Sequence, residues 1–245
     1  MSNNASLTLR YAARTDVGLR RQQNEDSVYA GPRLLAVADG MGGHSHGEVA
    51  SATVIAALSA LDSDPPSADL LGAMETAITD AGRRLKDMAA RDPKLTGMGT
   101  TLTAMLWDGT RFALAHIGDS RAYLLREGYL YQITRDHTLV QSLVDDGQMT
   151  PEQAAAHPRR SLLMRALGGS GSVEPDLSMR EARAGDRYLI CSDGLSGVVG
   201  PQALHETLTQ IKDLGASAQR MIDLAKDAGG PDNITCVVAE VLGGS

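Results

Sequence analysis

Apolar and polar residues alternate in "LTLRYAA" (7–13), and the stretch 27–38 ends in the buried run "RLLAVAD"; both read as short strands. Residues 47–61 change period: Ala50, Val54, Ala57, Leu58 and Leu61 recur at helical spacing. The double proline of "DSDPPSAD" breaks that helix, and a second follows over roughly 68–90, with Leu71, Met74, Ile78, Leu85 and Met88 on one stripe. Strand patterns resume in "TTLTAMLWDG", "RFALAHIGDS", "RAYLLREG" and "YLYQIT", with Gly109 and Gly128 at the turns, so an antiparallel meander is expected.

The segment from about 137 to 167 is polar and carries few large apolar anchors. "HTLVQSLVDDG" predicts a short helix. "TPEQAAAHP" predicts a second, with Thr150 as cap, Pro151 in the first turn and Gln153 at capping-box distance. Such an insertion reads as a flap. "DRYLICSDGLSG" returns to strand, 201–210 and 215–228 are helical, and "PDNITCVVAEV" is a last strand. Meanders interleaved with helix pairs, rather than βαβ alternation, predict an α+β fold of antiparallel sheets covered by helices. No repeat, linker or low-complexity tract divides the 245 residues, so residues 1–245 are expected to form one domain.

With 42% hydrophobic residues the chain can bury a substantial core. Its formal net charge is −7 and no Lys/Arg block stands out, which argues against nucleic acid or an anionic membrane as partner. Cys191 and Cys236 sit in apolar runs and are expected as small core residues in a reducing, cytoplasmic compartment. The opening "MSNNASLTLR" lacks the features of a signal peptide, and no apolar run approaches the roughly 18 residues a membrane span needs. The final "LGGS" reads either as a natural end or as the edge of a domain from a longer, membrane-anchored protein.

The chemistry is concentrated in aspartates. "RLLAVADGM" and "RYLICSDGL" each place an Asp, Asp39 and Asp193, at the exit of an apolar strand. "ALAHIGDSR" exits through Gly118 to Asp119, and Asp232 stands at the entrance to the final strand. If two sheets pack face to face, these ends can meet on one rim. Carboxylates crowded together repel unless a cation neutralises them, and oxygen-only ligands select a hard ion, Mg²⁺ or Mn²⁺. No Cys/His cluster has zinc spacing.

"NEDS", "VADGMGGHSHGE", "GMGTTLTAM", "HIGDSRAYL", "ITRDHT", "CSDGL" and "GPDNITCVV" occur in an order that resembles the metal-dependent PP2C-type (PPM) serine/threonine phosphatases, in their bacterial, actinobacterial branch. The resemblance runs from about residue 8 to 240. It implies a four-layer α-β-β-α sandwich with a binuclear Mn²⁺ or Mg²⁺ centre. By the same resemblance Asp39 bridges two ions, Gly40 offers its carbonyl oxygen, and Asp193 and Asp232 complete the first ion's shell. A third ion site would use Asp119, Asp193 and a flap carbonyl, that of Ser161. Glu25 or Asp26 reaches the waters around the ions. Arg21, better spaced from "NED" than Arg20, would hold the substrate phosphate. Met41 stands where eukaryotic members carry a general-acid His, so His44 is the candidate acid, ahead of His46. Gly99, Thr100 and Thr101 are assigned to packing and tight strand entry, and Asn233 to ordering the loop of Asp232.

The function implied is hydrolysis of phosphoserine and phosphothreonine on proteins by direct attack of a metal-bridging hydroxide. The expected partners are phosphorylated proteins, Ser/Thr protein kinases among them. Two alternatives remain at this point: a non-catalytic scaffold that binds phosphoproteins, and a phosphatase dedicated to an anti-sigma-antagonist partner.

Overall fold

The apolar stretch read as one strand over 27–38 is a hairpin. Strand β2 (Asp26–Ala30) and strand β3 (Leu34–Met41) lie antiparallel, turned by Gly31-Pro32-Arg33. Apolar residues flank the turn on both sides, Val28-Tyr29-Ala30 before it and Leu34-Leu35-Ala36 after it, so only the Gly-Pro pair marked it. Asp62 fixes it from outside: its carboxylate accepts from the Arg33 and Leu34 amides (2.7 and 2.9 Å) and from the Tyr29 hydroxyl (3.0 Å). A computed structural model describes residues 7–42, 46–63, 68–168 and 174–244.

Strand β1 (Leu7–Asp16) precedes the hairpin, and helices α1 (His46–Ser63) and α2 (Leu70–Arg91) follow it. Asp69 caps α2 by accepting from the Gly72 amide at 2.9 Å. The meander then supplies β4 (Gly99–Thr100), β5 (Leu102–Trp107), β6 (Arg111–Ile117), β7 (Arg121–Arg126) and β8 (Tyr129–Gln132). The flap holds α3 (Leu139–Asp145) and α4 (Pro151–Ala155) and ends in β9 (Leu167–Gly168). The capping box at Thr150 and Gln153 is formed in both directions. Strands β10 (Asp176–Glu181) and β11 (Arg187–Cys191), helices α5 (Asp193–Ser196), α6 (Pro201–Gln210) and α7 (Leu214–Asp227), and strand β12 (Ile234–Gly243) complete the chain. The "DRYLICSDGLSG" stretch is thus strand only to Cys191; a one-turn helix begins at Asp193.

One sheet runs β1-β12-β11-β7-β8 and the other β10-β6-β5-β3-β4-β9, with β2 also paired to β3; every pairing is antiparallel. The sheets face each other across a core that includes Leu35, Val37, Met105, Phe112, Tyr188 and Val237. Phe112 stacks against Trp107 (ring centroids 4.5 Å apart) and meets Tyr188 edge-on (5.0 Å). Helices α1 and α2 cover the outer face of one sheet through Val54, Leu58, Met74, Ile78 and Leu85. Helices α6 and α7 cover the other through Leu204, Leu208, Met221 and Ile222. Each such fully buried side chain contributes about 1.5–3 kcal/mol, so the four layers are held mainly by these three apolar seams.

Arg187, buried in β11, donates to the carbonyl oxygens of Leu208, Ile211 and Lys212 and so satisfies the end of α6. Cys191 and Cys236 oppose each other across β11 and β12, both buried and unbridged, as the core assignment requires. Among the described residues, no helix is long and apolar enough to cross a membrane.

Candidate metal centre

Strand β3 delivers Asp39 to the end of the sandwich. Its position is set by β4 and β5: the Asp39 amide donates to the Thr101 hydroxyl (3.0 Å), and its carbonyl accepts from the Thr101 amide and the Thr100 hydroxyl (2.9 Å each). Thr100 and Thr101 therefore orient the strand end as well as pack it. Gly40 is demanded by close approach: a Cβ there would lie 2.1 Å from the Gly47 carbonyl oxygen and 2.5 Å from that of Glu25. The second arm is β11, which ends at Cys191, two residues before Asp193. At Gly194 a Cβ would fall 1.9 Å from the Asn233 carbonyl oxygen. The α5 turn and the entrance to β12 are thus pressed together, which brings Asp193 beside Asp232.

Asn233 extends this clamp to a third segment. Its side-chain amide donates to the carbonyls of Val17 (3.0 Å) and Gln23 (2.9 Å), and its Oδ1 accepts from the Glu25 amide (2.9 Å). The loop carrying Arg21 and Glu25 is fastened by these bonds to the residue after Asp232.

A cavity of about 570 Å³ results, lined by Arg21, Glu25, Asp39, Gly40, Asp119, Ser161, Asp193 and Asp232. Ser161, Asp119 and Asp193 also line a second cavity, under the flap, so the residues expected at a third ion site share one wall. Arg20 is exposed and does not line the cavity. Glu25 faces the cavity, whereas Asp26 is buried behind it, opposite Asp39 in the β2–β3 register. Asp26 Oδ2 accepts from the Ser192 hydroxyl (2.8 Å), and its buried Oδ1 has no hydrogen-bond partner among the described residues. His44 lies outside the described residues, and His46 opens α1. His116 and His137 are buried, and His157 accepts from the Arg159 amide within the flap. Ser192 was not foreseen; its only signal was its place before Asp193.

The electrostatics fit a site built for cations. Burial pushes the Asp39 carboxyl well above the ordinary range, and Asp26, Asp193, Asp119 and Asp232 add to the shift. Asp119 is raised to about 8 by burial and by Asp193. Asp26 is raised to about 7, again chiefly by burial. Asp193 is raised by burial and by Asp232. Among the described residues no three His, Cys, Asp or Glu side chains close round one point as a ready cage. That does not conflict with the cavity, because hard divalent ions are held by carbonyl oxygens and waters as well as carboxylates. The donor set is oxygen only, it is crowded with like charge, and one of its neighbours, Asp26 Oδ1, lacks a partner among the described residues; it fits Mg²⁺ or Mn²⁺. Arg21 supplies the positive charge at the mouth, paired with Asp232 at 2.8 Å. That hydrogen bond, more than any other influence, raises its already high pKa.

The chain and its fold are similar to known proteins. Residues 15–231 match the family model for protein phosphatase 2C. The chain is 60% identical over 237 residues to the serine/threonine protein phosphatase PstP of Mycobacterium tuberculosis, covering 97% of this chain and 46% of that protein. It therefore spans less than half the length of that relative. It is 38% identical to the serine/threonine phosphatase stp of Listeria monocytogenes, covering 93% and 94%. A crystal structure of the M. tuberculosis phosphatase superposes with a TM-score of 0.93 at 60% identity, covering 95% of this chain and 98% of that one. The PstP catalytic domain in complex with two manganese ions superposes with a TM-score of 0.92 at 58% identity, covering 97% and 100%.

Proposed function

The chain belongs to the protein phosphatase 2C family, and on that premise we propose that it hydrolyses phosphoserine and phosphothreonine on proteins with the help of divalent cations. The observation that carries the reading is the meeting of Asp39, Asp119, Asp193 and Asp232, drawn from four separate segments, with Arg21 on one cavity.

Asp39, the Gly40 carbonyl, Asp193 and Asp232 would hold two Mn²⁺ or Mg²⁺ ions, and Asp119 with Asp193 and the Ser161 carbonyl a third. When bound, such ions make water a stronger nucleophile at neutral pH and offset negative charge on phosphoryl oxygens. Arg21 presents a planar fork to the same oxygens. Its 2.8 Å pair with Asp232 displays that fork on a carboxylate. Glu25, at the cavity wall, or Asp26, buried behind it, would reach the waters around the ions. His44 is the proposed donor to the departing alkoxide. Phosphorylated Ser/Thr protein kinases are the proposed protein substrates.

The test is turnover of p-nitrophenyl phosphate and of a phosphothreonine peptide, with Mn²⁺ and with EDTA. Activity that requires the metal and disappears in Asp39→Asn and Asp193→Asn is expected. Metal-independent turnover, or phosphopeptide binding with no turnover, would overturn the reading.

A further inference from the structure

The two sides of the sandwich are finished differently. Along one side β1 and β2 touch and close the gap between the sheets. Along the other, the outermost strands are β8 and β10, each paired on one edge only. Strand β6 turns Phe112, Leu114 and His116 toward the other sheet; their register partners on β10 are Arg180, Ser178 and Asp176. Strand β7 turns Leu124 and Arg126 inward; their partners on β8 are Tyr131 and Tyr129. Positions that alternation assigns to the core therefore carry polar groups and tyrosines. Tyr131 is 51% exposed and Tyr129 67% exposed, so the core does not close over them.

What remains is a groove of about 780 Å³, with Leu114, Leu124 and Ile133 among its apolar lining. It shares no lining residue with the metal cavity. Four arginines reach it: Arg126, Arg135, Arg180 and Arg183. Asp186 takes Arg126 through bonds of 2.8 and 2.6 Å, and Asp145 takes Arg135. Asp176, the acid in the groove, is engaged by Arg165 (2.8 Å) and His137 (3.0 Å). Arg183 meets Glu127 at 3.3 Å, both side chains exposed, a pair worth little in water. Arg180 makes a long 3.4 Å bond to the Ile133 carbonyl and no ion pair among the described residues. Two guanidinium groups are thus available in a groove that the exposed Tyr131 also lines, on a chain whose net charge is −7.

We propose that this groove docks an extended acidic segment of a partner protein. Free strand edges favour an extended backbone, Arg180 and Arg183 favour carboxylates, and Tyr131 over an apolar floor favours alternate apolar side chains. The proposal stands apart from the phosphatase reading, because the two cavities have no residue in common.

The probe is a fluorescein-labelled decapeptide alternating Glu with Val or Leu. A Lys-for-Glu peptide and a labelled single-stranded oligonucleotide of equal length serve as comparison arms. The acidic peptide is expected to bind in fluorescence anisotropy, to weaken as salt rises, and to protect β8 and β10 amides from hydrogen exchange. Arg180→Glu and Tyr131→Ser should each weaken it by about tenfold or more, with p-nitrophenyl phosphate turnover and Tm unchanged. No binding at about 1 mM peptide, the weakest affinity of interest, would overturn the proposal. So would equal binding by both variants, displacement by inorganic phosphate with Mn²⁺, or tighter binding of the Lys peptide or the oligonucleotide.

Discussion

Asp39 and Asp26 oppose each other across two hydrogen-bonded strands, with Asp193 near both. Buried like charges of this kind destabilise one another, so the cluster costs the fold stability wherever no cation neutralises it. Asp193→Asn is expected to cut metal-dependent turnover at least about a hundredfold. In EDTA at pH 8 the same variant should melt no lower than the parent, because a repelling charge has gone. A large drop in Tm would show that Asp193 is structural. His116 gives a separate pH signature. Its Nε2 donates to the Arg135 carbonyl and its Nδ1 faces the Thr103 hydroxyl, each at 2.9 Å. Burial and the neighbouring His137 lower its pKa from 6.5 to about 4. A lowered pKa means the folded state favours the neutral ring. Its contribution is complete above pH 6.5 and is lost as pH falls toward 4. The slope of Tm between those pH values should flatten in His116→Gln. At this scale the site was largely legible: Asp-Gly after an apolar strand told where Asp39 and Asp193 stand. Ser192 and the bare oxygen of Asp26 were not, since their meaning depends on a neighbour 166 residues away.

Elements place these groups through backbone contacts that composition does not announce. Asn233 ties the 17–25 loop to β12 by three hydrogen bonds. Asn233→Ala should cost about 1–3 kcal/mol in urea unfolding, and isothermal titration should find weaker Mn²⁺ binding. In the flap, the Thr150 cap governs α4 alone. Thr150→Ala should speed hydrogen exchange of the 151–156 amides about fivefold, for about 1 kcal/mol, without moving the global Tm. Periodicity foretold α1, α2, α3, α4, α6 and α7 because each has a clear stripe or cap. It was silent on β10, whose inward residues are Asp176, Ser178 and Arg180, the polar side of the open groove. The β2–β3 hairpin reads as one strand for the opposite reason: apolar residues flank the turn on both sides, and the 34–38 run is buried on both faces.

For the molecule as a whole, ion binding and folding should be linked. Mn²⁺ at about 100 times its Kd should add about 2.7 kcal/mol of stability, and EDTA should remove it. Differential scanning calorimetry with and without the metal checks this, and an unchanged Tm would speak against binding by the folded state. The sandwich, its helix pairs and the rim where the aspartates gather follow from strand-end chemistry and helix stripes together. The splayed side did not, because it is a failure of closure between strands distant in sequence. One feature of the sheet bears on how the protein is made. Strand β1 pairs over its full length with β12, and Arg10 meets Glu240, 230 positions further along the chain. On a ribosome, then, β1 must wait for β12, and a nascent chain halted before residue 232 lacks both the partner of β1 and the fourth carboxylate. Catalytic competence should arrive late and all at once, with the early β1 segment a natural client for chaperones in the interval.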